Sequence, residues 1–153
     1  MNIEVTNQKS QIAVAVKKEH ATMAEIDMLA TDGLQKVFGF LAQQGVAIAG
    51  APYLAYTNGN ADFSQFDVEL GIPVGEEIAV EGEFFMSKTC EGKAVTAIYK
   101  GPYKDVEVAY TALIEYLAVN KLESTGVYYD YYLNNPADTP ESELLTQVVF
   151  PVK

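Results

Sequence analysis

The order of secondary-structure signals in this chain is written twice. Alternation over Gln11-Ile12-Ala13-Val14-Ala15-Val16 predicts a strand ending in the charged Lys17-Lys18-Glu19. From about Ala21 to Gln44 the period changes: Met23, Ile26, Ala30, Gly33 or Leu34, Val37 and Leu41 form one apolar stripe at helical spacing. Gly45 is a natural stop for that helix, because glycine takes the left-handed conformation without steric cost. A strand over Val46 to Tyr56, a turn at Asn58-Gly59-Asn60 and a strand over Phe66 to Val74 follow. The second half repeats the order. A strand over Lys93 to Tyr99 leads through Gly101-Pro102-Tyr103 into a helix over about Lys104 to Asn120, whose apolar face carries Val106, Ala109 or Tyr110, Leu113 and Leu117. Val127 to Leu133 is then a strand, Asn134-Asn135-Pro136-Ala137-Asp138 a turn, and Leu144 to Val152 a last strand. The match reaches detail: Tyr56 and Tyr132 close corresponding strands, and Pro73-Val74 corresponds to Pro151-Val152.

Two strand-helix-strand-strand copies can join their strands edge to edge. The expected fold is therefore α+β: one antiparallel sheet with both helices on one face, since each helix has a single apolar stripe to bury. We expect one domain over residues 1–153, with repeat one at about 1–78 and repeat two at about 79–153. The other sheet face is left to water, a partner or a ligand.

The chain has 153 residues, 49% hydrophobic and 20% charged, which is the composition of a globular domain rather than a disordered segment. No run approaches the ~20 apolar residues of a membrane span, and the N-terminus lacks the basic start and apolar core of an export signal. The single Cys90 has no disulfide partner and makes no thiolate metal site, so a cytoplasmic setting is expected. Lys and Arg number 10 against 21 Asp and Glu, a net charge of −11. That sign repels phosphate backbones and anionic lipid, so no direct nucleic-acid or membrane contact is expected; it attracts cations or a basic protein surface, or serves only solubility.

Ten tyrosines accompany no tryptophan, and four stand in Tyr128-Tyr129-Asp130-Tyr131-Tyr132. Alternate residues of a strand share a face, so Tyr128, Asp130 and Tyr132 point one way and Tyr129, Tyr131 and Leu133 the other. Aspartate is depleted inside strands. Two readings of this face stand. One is an aromatic pocket for an organic cation, with ring faces contributing about 0.5–2 kcal/mol each and the carboxylate as counter-charge. The other is a solvated face with Asp130 in water. Glu69 and Gln147 occupy matching places in the two repeats; they either approach across a central cleft or are ordinary polar alternation. A buried Glu69 would be a candidate acid or base. His20 is the only histidine, which excludes multi-histidine metal sites, and no metal or other cofactor is expected. Cys90 sits in a predicted turn beside acidic residues that disfavour its thiolate. Gly101-Pro102 lacks the lysine and glycine spacing of a phosphate loop.

The segments Phe66 to Val74, Ala94-Val95-Thr96-Ala97-Ile98-Tyr99-Lys100-Gly101-Pro102-Tyr103, Tyr129 to Pro136 and Leu145 to Val152, in this order along the chain, resemble the GyrI-like small-molecule-binding family. This is the effector-binding domain of many multidrug-sensing bacterial transcription regulators. The resemblance covers nearly the whole chain. It implies the duplicated fold and an aromatic-lined ligand cleft between the repeats, with Tyr56, Tyr128 and Tyr132 as candidate walls. The family's central glutamate, which meets cationic drugs, falls at Asp130, one methylene shorter, and a strand-end position often occupied by glutamate falls at Gln147. Both departures make neutral amphipathic ligands more plausible than for a typical member.

Members of the family are sensor halves of DNA-binding regulators, standalone proteins that modulate gyrase or sequester toxic compounds, or hydrolases of cyclopropane compounds. Strand signals begin close to the start of the sequence, so no helix-turn-helix is expected in it. The first expectation is thus a standalone module binding hydrophobic, cationic or amphipathic small molecules. The alternatives are a hydrolase using Glu69 with cleft tyrosines, and an acidic interaction protein whose partner is a regulator or topoisomerase.

Overall fold

The computed structural model describes residues 2–59, 64–135 and 138–153. Asn60 of the first predicted turn and Pro136-Ala137 of the second lie outside the described residues. The elements are β1 (Ile3–Gln8), β2 (Ile12–Ala21), α1 (Ile26–Gln44), β3 (Tyr53–Thr57), β4 (Phe66–Pro73), β5 (Phe85–Lys88), β6 (Gly92–Lys100), α2 (Glu107–Val119), β7 (Tyr128–Tyr132) and β8 (Leu145–Pro151). The doubled order is there as β2-α1-β3-β4 and β6-α2-β7-β8. Among the described residues the eight strands form one antiparallel sheet in the order β1-β6-β8-β7-β3-β4-β2-β5.

The two repeats meet at β3 and β7, where Leu54 lies opposite Asp130 and Tyr56 opposite Tyr128. The outer strands cross over: β1 pairs with β6 of the second repeat, and β5 pairs with β2 of the first. The matched Pro-Val strand ends also behave alike. Val74 makes an isolated bridge to Ile48 just after α1, and Val152 one to Ser124 just after α2.

One lateral row of residues defines the helix-facing side. Reading across the sheet, Ile3, Ala97, Val148, Asp130, Leu54, Leu70 and Val16 are successive register partners. Leu54, Leu70 and Val16 belong to the core under α1, with Val37, Phe40 and Leu41 from the helix. Ala97 and Val148 belong to the core under α2, with Ala109, Leu113 and Leu117. Both predicted stripes therefore bury against one sheet face. Neighbouring positions turn to the other face, where Ala13, Tyr53, Ala55, Tyr131 and Val149 form a third, smaller cluster.

Three boundaries differ from expectation for local reasons. β2 continues through Lys17-Lys18-Glu19 to Ala21, because those exposed side chains cost nothing on a strand flank. It ends in an irregularity with His20 at φ +56°, whose N–H donates to Asp67 Oδ1 at 3.1 Å. A short 3-10 turn over Met23–Glu25 then delays the helix to Ile26. The strand expected over 46–56 pairs continuously only from Tyr53; Pro52 before it has no N–H to give a ladder. Gly45 does close α1, at φ 68°, donating to Ala42 and Leu41 carbonyls.

Candidate functional site

A cleft of about 1210 Å³ opens between α1, the start of α2 and the centre of the sheet. Leu34 and Phe38 line it from α1, Tyr103, Val106 and Tyr110 from the start of the second helical segment, and Tyr56, Asp130, Tyr132 and Thr146 from the strands. It exists because the helices cover the two halves of the sheet separately, leaving the repeat boundary between them. Its size slightly exceeds the roughly 300–1,000 Å³ common for drug-sized ligands.

Asp130 is the chemical centre of this cleft. It is 3% exposed, the only charged member of an otherwise apolar row. Its Oδ2 accepts hydrogen bonds from the Tyr56 hydroxyl at 2.8 Å and the Tyr110 hydroxyl at 2.5 Å, while Oδ1 has no partner among the described residues. Burial pushes the carboxyl up to about 6, and the two phenol bonds hold it down against that trend. The same burial, with the neighbouring carboxylate, keeps the Tyr56 and Tyr110 phenols protonated far above their ordinary range. The trio is therefore two fixed donors and one acceptor. Near neutral pH it holds a negative charge in a buried setting. Among the described residues lining the cleft, Asp130, Glu107 and Glu141 are acidic and none is basic.

Of the six candidates from the sequence, Asp130, Tyr132 and Tyr56 line the cleft. Tyr128 shares their sheet face, as alternation predicted, but packs its ring on Phe150 at 4.6 Å between the two helix cores and does not line the cleft. Glu69 and Gln147 do not approach one another across the cleft. Glu69 lies opposite Ala55, and Gln147 opposite Tyr131, so both are on the other sheet face. The cause is the one-residue parity of a strand: Val68 and Leu70 fill the core under α1, which turns Glu69 away. There Glu69 Oε2 accepts from the Tyr53 hydroxyl at 2.6 Å and the Ser87 hydroxyl at 2.7 Å. A hydrolase pairing of Glu69 with the cleft tyrosines is thus not formed.

Sequence reasoning missed the part played by Tyr110, which reads as one more apolar-stripe residue, and those of Tyr103 and Thr146. The signal for Tyr110 was available: a phenol one turn after Val106, on the helix face turned toward the sheet. The solvated reading of Asp130 is also excluded by its burial. Cys90 is inert for a different reason than its acidic neighbours. It is 3% exposed, and burial pushes its thiol up to about 11. Among the described residues no group of three or more His, Cys, Asp or Glu side chains is placed to hold a metal, and no helix is long and apolar enough to cross a membrane.

The family model of the GyrI-like small molecule binding domain matches residues 1–153. The chain belongs to this family. The crystal structure of the EcmrR C-terminal domain superposes with a TM-score of 0.84 at 19% identity, covering 99% of this chain and 97% of that one. In the EcmrR–DNA complex the match spans only 57% of the EcmrR chain. SAV2435 bound to tetraphenylphosphonium superposes at 0.69 with 13% identity over 100% of this chain and 94% of that one. A hydrolase from Listeria innocua superposes at 0.68 with 11% identity over 99% and 91%. At such identities the superpositions establish the fold alone. A search of curated proteins gives no match. Family membership makes the GyrI-like chain a small-molecule binding module.

Proposed function

We propose that this GyrI-like module captures hydrophobic organic cations in the cleft between its repeats, with Asp130 as the counter-charge, and so senses or sequesters them. One observation carries the reading: a carboxylate is buried at the centre of an apolar row, in a cleft whose described lining holds acids and no base. A buried charge without an opposite partner is costly, and an organic cation supplies that partner while its apolar body replaces water along Leu34, Phe38 and Tyr132. The phenols of Tyr56 and Tyr110 fix the carboxylate's position before a ligand arrives. That SAV2435 was solved with tetraphenylphosphonium supports a cation as the ligand of this fold.

The test is a thermal-shift titration of wild type and Asp130→Asn with tetraphenylphosphonium and the neutral triphenylphosphine oxide. A ligand at about 100 times its dissociation constant stabilises the native state by about 2.7 kcal/mol. The cation should outperform the neutral compound in wild type and lose that advantage in the variant. Equal shifts by both compounds in both proteins, or no shift with this or any other organic cation, would refute the reading.

A further inference from the structure

Buried polar atoms in folded proteins have partners almost without exception, so each one without a partner asks for an explanation. Among the described residues three side-chain atoms are buried and unpartnered: Asp130 Oδ1, the Tyr103 hydroxyl and Thr146 Oγ1. All three residues line the same cleft. Thr146 is 1% exposed and Asp130 3%. They stand together in the fold. Thr146 is the register partner of Tyr132, which is two residues from Asp130 on the same face, and the Tyr103 ring lies 5.0 Å from the Tyr132 ring.

The chemistry of the set is specific. Oδ1 is an acceptor and needs a donor, because the phenols of Tyr56 and Tyr110 both bond the other oxygen. The two hydroxyls each have a proton to give and need an acceptor. We propose that the cleft is built for a protonated amine that also carries a hydrogen-bond acceptor such as a carbonyl or ether oxygen. Its N–H meets Asp130 Oδ1, and its oxygen accepts from Thr146 and Tyr103. This rests on the cation reading above and narrows it from any lipophilic cation to an amphipathic amine. A quaternary ammonium or phosphonium ion satisfies the charge and leaves Oδ1 without a donor. All three atoms are buried, so engaging them includes a shift of the side chains around them.

Matched probes separate the two levels. Calorimetry near neutral pH compares lidocaine, whose tertiary ammonium and amide carbonyl supply both functions, with its N-ethyl quaternary derivative, which keeps the carbonyl, the anilide N–H and the charge and loses only the ammonium N–H. Tetraphenylphosphonium and N,N-diethylphenethylamine, an amine with no carbonyl, complete the set. Lidocaine should bind about tenfold or more tighter than the quaternary form, as a charge-assisted hydrogen bond implies. Asp130→Asn should erase that ratio, and Thr146→Val should weaken lidocaine but not the carbonyl-free amine. If the quaternary form binds as tightly as lidocaine, or if Thr146→Val affects both amines alike, the inference falls and the cation reading stands. If none of the four cations binds, both fall.

Discussion

Replacing Asp130 with asparagine removes the charge from an apolar row while keeping the side chain's size, and the consequence for stability can be worked out with its sign. Burial carries the carboxyl from an ordinary 3.8 to about 6 in the folded protein. At about 1.4 kcal/mol per pKa unit, this is about 3 kcal/mol of differential stability. A raised folded value means that the native state holds the proton more tightly than the unfolded chain does. The stabilisation is fully present below the unfolded value and is lost as pH rises through about 6. Asp130 is almost fully buried, so solvent screening does not dilute the effect. Asparagine has its own, pH-independent cost, which cancels if only the change with pH is compared. Urea unfolding of both proteins at about pH 4 and about pH 7 gives the difference of differences. Relative to Asp130→Asn, wild type should lose about 2–3 kcal/mol between those conditions. Parallel curves for the two proteins would refute the reasoning, because they would mean that Asp130 titrates alike folded and unfolded. A saturating organic cation should shrink the loss, since it stabilises the ionised form.

Two further expectations concern the other sheet face. An added methyl at Gly71 would sit 2.6 Å from the Tyr53 ring, whereas one at Gly39 of α1 meets nothing within 4 Å. Gly71→Ala should therefore destabilise by about 1–3 kcal/mol, while Gly39→Ala gains up to about 1 kcal/mol from helix propensity; urea midpoints of the two variants decide this, and equal effects would contradict the packing. The Cys90 thiol, buried and pushed up to about 11, should resist iodoacetamide near neutral pH in the folded protein and react in urea. Rapid labelling of the native form, followed by mass spectrometry, would contradict that burial.

The repeat, both helix stripes, the Gly45 stop and the shared face of Tyr128, Asp130 and Tyr132 were legible in the sequence, because each follows from a local period. The stripe residues Ile26, Val37 and Leu41 and their counterparts Leu113 and Leu117 are where the cores formed. β5 was not legible: Phe85–Lys88 has four residues, and it is a strand because β2 offers it an edge. The Glu69 error has the same origin. Its spacing matched Gln147, but which parity faces the helices is decided by which residues fill the core, and Val68 and Leu70 fill it.

By itself, then, the sequence determined the doubled order of elements, the two buried stripes and the odd aspartate in a tyrosine-rich strand, since these depend on neighbours along the chain. Only the tertiary structure decided that Asp130 is buried with one oxygen unpartnered among the described residues, that Tyr56 and Tyr110 reach it from 74 and 20 residues away, and that Glu69 looks the other way. Burial and long-range pairing depend on which strands become neighbours and which face the helices cover. No local period encodes either.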